Sequence, residues 1–182
     1  MRRRDALVGS FGLALSGCGY ALVGRGTLTD ATIKKIGVPL FKDLTGKPSL
    51  DQKVTAKVIE ELLKRGKFDV LQQAEGVDAL VEGELTAYTV APVGFSGVPG
   101  DTPAASSQTT QASRYSVGLT ARVKYGKVGD KEPIWQNDSF TFRDEYDVGS
   151  DPKDFFDRED QTIDRLVVSF ARNLIAAMLE AF

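Results

Sequence analysis

Histidine is absent from this sequence, and cysteine occurs once, at Cys18. Without an imidazole there is no histidine-based triad and no Cys/His zinc site, and a lone thiol cannot close a disulfide within the chain. Most enzyme mechanisms are lost with them. Excess positive charge is missing too: 23 basic residues face 25 acidic ones. Residues 1–17 hold three arginines and one acid, so the remainder carries 20 basic and 24 acidic residues, a net charge of −4. Such a chain is not a nonspecific polyanion binder, and nucleic acid is not an expected partner. Its first apolar run, Ala6 to Leu15, is about ten residues long, whereas a membrane-spanning helix takes about twenty.

What that run does supply is an address. Arg2-Arg3-Arg4 form a cationic start, Ala6 to Leu15 an apolar centre, and Leu15-Ser16-Gly17-Cys18 reads as a lipobox. Small residues at Ser16 and Gly17 suit a peptidase cleft. The Cys18 thiol can then take diacylglycerol, and its freed amine a further acyl chain; two or three chains give stable anchoring where one does not. The plainer alternative is a secretory signal ending near a cysteine by chance. Against it, the tetrapeptide closes the apolar run and Cys18 is the only cysteine. The expected organisation is therefore a signal peptide over 1–17, a lipidated tether over 18–30 and a single domain over 31–182. No cofactor is expected beyond the covalent lipid on Cys18.

Within the domain, Ile36, Val38 and Leu40 alternate with Gly37 and Pro39, which predicts a strand over Ile33 to Phe41, and Pro39 places it at a sheet edge. The first helix begins at a capping box of Ser49 and Gln52 and ends at Gly66. Leu50, Val54, Val58 and Leu62 recur every four residues on one face, widened by Ile59 and Leu63. Two apolar stretches follow, Phe68 to Leu71 and Val77 to Val93; in the second, Ala79, Val81, Leu85 and Ala87 alternate with Glu82, Glu84, Thr86 and Tyr88. Residues 94–113, with Asp101 their only charge, read as a flexible loop. Alternation returns over Arg114 to Val128 and again over Pro133 to Val148, where Trp135, Asn137, Ser139, Thr141 and Arg143 oppose Ile134, Phe140, Phe142 and Tyr146. Asp151-Pro152 starts a last helix whose stripe is Ile163, Leu166, Val167, Phe170, Leu174 and Met178.

The order β-α-β-β-β-α predicts an α+β two-layer sandwich: two helices on one face of a four-stranded, mainly antiparallel sheet. The other face is left without helical cover. By these alternations it displays Glu82, Glu84, Tyr88, Arg114, Arg122, Lys124, Trp135, Thr141 and Arg143. A solvated sheet face is the plain reading of such a surface.

Several segments resemble the LptE family of lipopolysaccharide-assembly outer-membrane lipoproteins. They are Cys18-Gly19-Tyr20 with Leu22; Ile36-Gly37-Val38-Pro39-Leu40-Phe41 with Asp43 and Thr45; and Asp78-Ala79-Leu80-Val81-Glu82-Gly83-Glu84-Leu85. Arg114-Tyr115 with Val117, Ile134-Trp135-Gln136-Asn137 and Ala171-Arg172-Asn173-Leu174 are similar in type and order. The resemblance covers nearly the whole chain after the signal, the 94–113 loop excepted. It implies an outer-membrane location on the periplasmic side, lipopolysaccharide as the cargo, and a plug seated in an LptD-like β-barrel. Lipopolysaccharide carries phosphates, so Arg114, Arg122, Lys124 and Arg143 become candidate binding residues, with arginine suited to bidentate phosphate contact. Glu82 and Glu84 on the same face would compete for those cations. Two other readings stand beside this one. A lipid- or glycan-binding subunit of an envelope transporter predicts an internal apolar pocket. An anchored hydrolase would use paired acids such as Asp144, Glu145 and Asp147.

Overall fold

The computed structural model describes residues 32–97, 110–149 and 152–180. The expected signal peptide and the whole tether, Cys18 included, lie outside them, as does the centre of the 94–113 loop. The elements run β1 (Lys35–Gly37), β2 (Lys42–Asp43), α1 (Leu50–Lys64), β3 (Asp69–Leu71), β4 (Ala79–Gly97), β5 (Thr110–Lys127), β6 (Trp135–Asp147) and α2 (Pro152–Glu180). The fold is α+β: both helices lie on one face of a mixed, mainly antiparallel sheet ordered β3-β1-β4-β5-β6, with β2 paired separately to β4.

Two short strands bring the total among the described residues to six rather than four. β1 pairs in parallel with both β3 and β4, so it is internal, not the edge strand that Pro39 implied. The reason is its length. β1 stops at Gly37, so the proline ring never enters a ladder, and Val38 makes the last link by donating its N–H to the Leu71 carbonyl at 2.8 Å. The chain resumes pairing only at β2.

α1 follows its apolar stripe, but not its cap. Ser49 sits at φ 61° and ψ 10°, in the left-handed region, and its hydroxyl caps nothing. At the other end Gly66, at φ 64°, supplies the left-handed residue that closes the helix, donating to the Leu63 carbonyl. Leu50, Val54, Val58 and Leu62 of α1 join Ile163, Leu166, Val167, Phe170, Leu174 and Met178 of α2 over Val81, Leu85, Val117, Leu119, Ala121 and Val123 of the sheet. Each aliphatic side chain so buried is worth about 1.5–3 kcal/mol before entropy is charged against it. Phe170 meets Phe140 edge-on at 5.2 Å, fixing α2 against β6.

β4 and β5 are 19 and 18 residues long, a contour of about 60 Å at about 3.3 Å per residue. Pairing continues four residues into each end of the expected loop, as far as Gly97 and Thr110. Two register shifts flank the middle of β5: one on β4 between Leu85 and Ala87, the other on β6 where Asn137 and Phe140 face Val123 and Ala121. Each inserts one residue, and an inserted residue moves every later side chain to the opposite face.

Candidate functional site

The uncovered face is built from the side chains of alternate residues on β4, β5 and β6. From Arg114 to Tyr125 β5 keeps the expected phase: Tyr115, Val117, Leu119, Ala121, Val123 and Tyr125 point to the helices, and Arg114, Thr120, Arg122 and Lys124 point away. On the flanking strands the bulges change the picture. Tyr88 pairs with Leu119 beyond the bulge at Thr86, and Trp135 pairs with Tyr125 before the one at Asp138 and Ser139. Both rings therefore pack on the core, under the helices, rather than on the open face.

Arg122 stands between the two bulges and is held from both sides. Its Nη1 donates to Glu84 Oε2 at 2.8 Å, and its Nε lies 3.5 Å from Asp138 Oδ1. Lys42, carried by β2, reaches the other oxygen of Glu84 at 3.0 Å. The hydrogen bond from Lys42, with Arg122 adding to it, holds the Glu84 carboxyl below its ordinary value. Further along, Arg114 Nε donates to Asp147 Oδ1 at 2.7 Å, which raises the guanidinium still higher. Between these pairs the Thr120 and Thr141 hydroxyls meet at 3.0 Å.

Of the four candidate cations, then, the structure commits two. Lys124 faces Glu82 across the β4–β5 ladder, and Arg143 extends over Gly118, where a methyl group would come within 3.7 Å of its Cγ. Among the described residues neither forms an ion pair. The four do not converge into one cluster: Arg122 and Lys124 share a depression of about 300 Å³ with Lys42, Glu82 and Glu84, while Arg143 and Arg114 lie further out along the strands. A second depression, about 350 Å³, shares Glu82 and Lys124 and continues over Gly126 to the β5–β6 turn. Both are open troughs of mixed charge.

The acids proposed for hydrolysis do not assemble either. Asp144 points to the helix layer and binds Arg165, its neighbour Glu145 points to the open face, and Asp147 is paired with Arg114. A different polar cluster escaped the sequence reading. Glu159 of α2, 6% exposed, accepts from both Lys47 Nζ and Tyr88 OH at 2.7 Å, with the lysine 5.4 Å from the tyrosine ring centre. Burial pushes the Glu159 carboxyl up, but its two hydrogen bonds outweigh this and leave it below the ordinary range; burial and the same carboxylate push the Tyr88 phenol up. The cluster ties the loop before α1 to α2 and β4. Only the inward turn of Tyr88, which the bulge causes, makes it possible.

The family model for lipopolysaccharide assembly, LptE, matches residues 33–178. The chain belongs to the LptE family. The match takes in both helices nearly whole, all six strands and the open face, so the face is part of an LptE domain rather than an addition to it. No match was found among curated proteins. Solved structures with a similar outline include a minor lipoprotein from Acinetobacter baumannii, 9% identical, TM-score 0.47, covering 82% of this chain and 94% of that one. Rare lipoprotein B from Shewanella oneidensis is 13% identical with a TM-score of 0.40, over 81% of this chain and 92% of its own. Membership of the LptE family rests on neither.

Proposed function

We propose that this LptE-family chain is a non-catalytic lipoprotein, anchored through acyl chains on Cys18 to the periplasmic side of the outer membrane. Its domain seats as a plug in the lumen of an LptD-like β-barrel and aids delivery of lipopolysaccharide to the cell surface. The observation that carries this reading is the uncovered sheet face. It is long, polar and internally neutralised by the Lys42–Glu84–Arg122–Asp138 network and the Arg114–Asp147 pair. A surface of that kind suits the hydrated, polar inner wall of a large barrel, which would not match a greasy face or one of a single sign. The test is a photo-crosslinking residue placed at Thr141, exposed in the middle of that face. A covalent adduct with an outer-membrane β-barrel is the expected product. Cells that yield no barrel adduct from Thr141 would count against the plug.

Lipopolysaccharide contact belongs to the same proposal, and the structure changes how it is probed. Arg114 and Arg122 hold the sheet face together, so reversing them would test folding as much as binding. Lys124 and Arg143 are the cations available to a phosphate. Lys124→Glu with Arg143→Glu is expected to weaken binding to purified lipopolysaccharide on the order of tenfold at low salt, and less as salt is raised. Binding equal to that of the parent would leave the face without a role in recognising the cargo.

A further inference from the structure

The last strand of the sheet, β6, has no neighbour on its outer side among the described residues. Edge strands of this length, 13 residues, expose a row of backbone donors and acceptors that another strand can take up. Which groups face outward follows from the ladder. Val148 donates its N–H to Ser113 across the continuation of the β5–β6 pairing, so the even-numbered residues beyond the bulge turn their backbone groups to β5. The odd ones, Thr141, Arg143, Glu145 and Asp147, turn theirs to the open edge.

That edge is not left open. Glu145 N–H donates to Asp144 Oδ1 at 2.8 Å, and the Glu145 carbonyl accepts from Arg165 Nη2 at 3.4 Å. Arg165 is itself fixed by Asp144 Oδ2 at 3.1 Å and by the buried hydroxyl of Thr162 at 3.0 Å. At the other end, in the bulge, Ser139 N–H donates to Asn137 Oδ1 at 2.9 Å. Between these two closures only Thr141 and Arg143 present outward backbone groups, a window shorter than a stable strand pairing needs.

We infer that Asn137, Asp144 and Arg165 close the β6 edge against strand addition by a second copy of this chain. α2 reaches over the edge through Arg165, while the bulge and the Asp144 side chain occupy the amides that a neighbouring strand would use. The sheet therefore ends at β6 on this side. This inference does not depend on the barrel reading and would survive its failure.

Amide hydrogen exchange followed by NMR on the purified chain tests it without any substitution. Glu145 and Ser139 amides are expected to exchange at least about tenfold more slowly than those of Thr141 and Arg143, as a charge-assisted or well-formed hydrogen bond requires. Equal rates at Glu145 and Arg143 would overturn the proposal. In Asp144→Ala/Arg165→Ala, protection at Glu145 should be lost, and light scattering during size exclusion should show dimers growing with concentration. Asp144→Asn keeps one acceptor oxygen, enough for the Glu145 amide but not for Arg165 Nε as well, so protection at Glu145 should persist in it. A folded double variant that stays monomeric over the range where the parent is monomeric would show that the edge needs no guard. Should that variant not fold, the exchange rates of the parent still decide.

Discussion

Replacing Gly83 with alanine probes the seam that gives the open face its Lys42. The face of β4 at Gly83 is filled by the Phe41 ring: a Cβ there would lie 2.2 Å from Cε2, 2.3 Å from Cδ2 and 2.5 Å from Cζ. Carbon atoms rest at about 3.5–4.0 Å, so the ring would have to retreat by about 1.5 Å. It has little room to do so. Phe41 is 1% exposed, its N–H is bound to Thr55 Oγ1 at 3.0 Å, and just beyond it Lys42 and Asp43 pair with Glu84 and Leu85. Overpacking a well-filled core costs about 1–3 kcal/mol, and partial expulsion of a phenyl ring adds part of its burial energy. A loss of about 2–4 kcal/mol follows, or about 5–15 °C in Tm for a domain of this size. Gly118→Ala is the control, because its Cβ would meet mainly the Thr89 hydroxyl, at 2.7 Å, and the movable Arg143 side chain. Its expected cost is about 1 kcal/mol or less. Calorimetry of the two variants and of Phe41→Ala/Gly83→Ala completes the argument: with the ring removed, the added methyl should cost about 2 kcal/mol less than it does alone. A Gly83→Ala protein melting within about 1 °C of the parent would refute the packing of Phe41 on β4.

Other consequences are as direct. Ser49 holds a left-handed conformation without a side-chain cap, so Ser49→Gly should raise stability by up to about 1 kcal/mol in chemical denaturation; a loss would show that the hydroxyl has a partner after all. Among the described residues the buried Tyr146 OH has no hydrogen-bond partner, and its phenol is pushed up to about 12 by burial and by Glu159. Tyr146→Phe is therefore expected to be neutral or stabilising by about 1 kcal/mol, and a Tm drop of several degrees would contradict it. The Glu159 carboxyl is lowered in the folded state, so its contribution is fully present above the unfolded value of 4.5 and is lost as pH falls through the lowered one. Urea midpoints measured from pH 6 down to pH 3 should decline less steeply in Glu159→Gln than in the parent, and parallel curves would exclude this group as a source of acid sensitivity.

The two-layer architecture was legible in the sequence because both helices, and β5 from Arg114 to Tyr125, obey a single period. Val117 to Tyr125 alternate without interruption, and α2 repeats its stripe from Ile163 to Met178. The bulges were not. Thr86 sits between Leu85 and Ala87, both apolar, so the inserted residue leaves the pattern looking intact while Tyr88 turns to the core. On β6 a signal did exist: Asn137-Asp138-Ser139 is the kind of polar triplet that turns the backbone back on a side chain, and Asn137 does bond the Ser139 amide. Missing both displaced Tyr88 and Trp135 to the wrong face and hid the Glu159 cluster. The basic patch was legible as composition only. Whether Arg122 is free or clasped depends on Glu84 and Asp138 meeting it across two ladders, and Lys42 arrives by a two-residue strand that no periodicity marks.

As proposed, this LptE-family domain works inside a β-barrel. Affinity purification of the tagged chain from a detergent extract of whole envelopes tests it most directly. A large outer-membrane protein is expected to co-elute in constant ratio, running faster on gels before heating than after, as folded β-barrels do. A chain that elutes alone, or only with inner-membrane transporter subunits, would contradict the account.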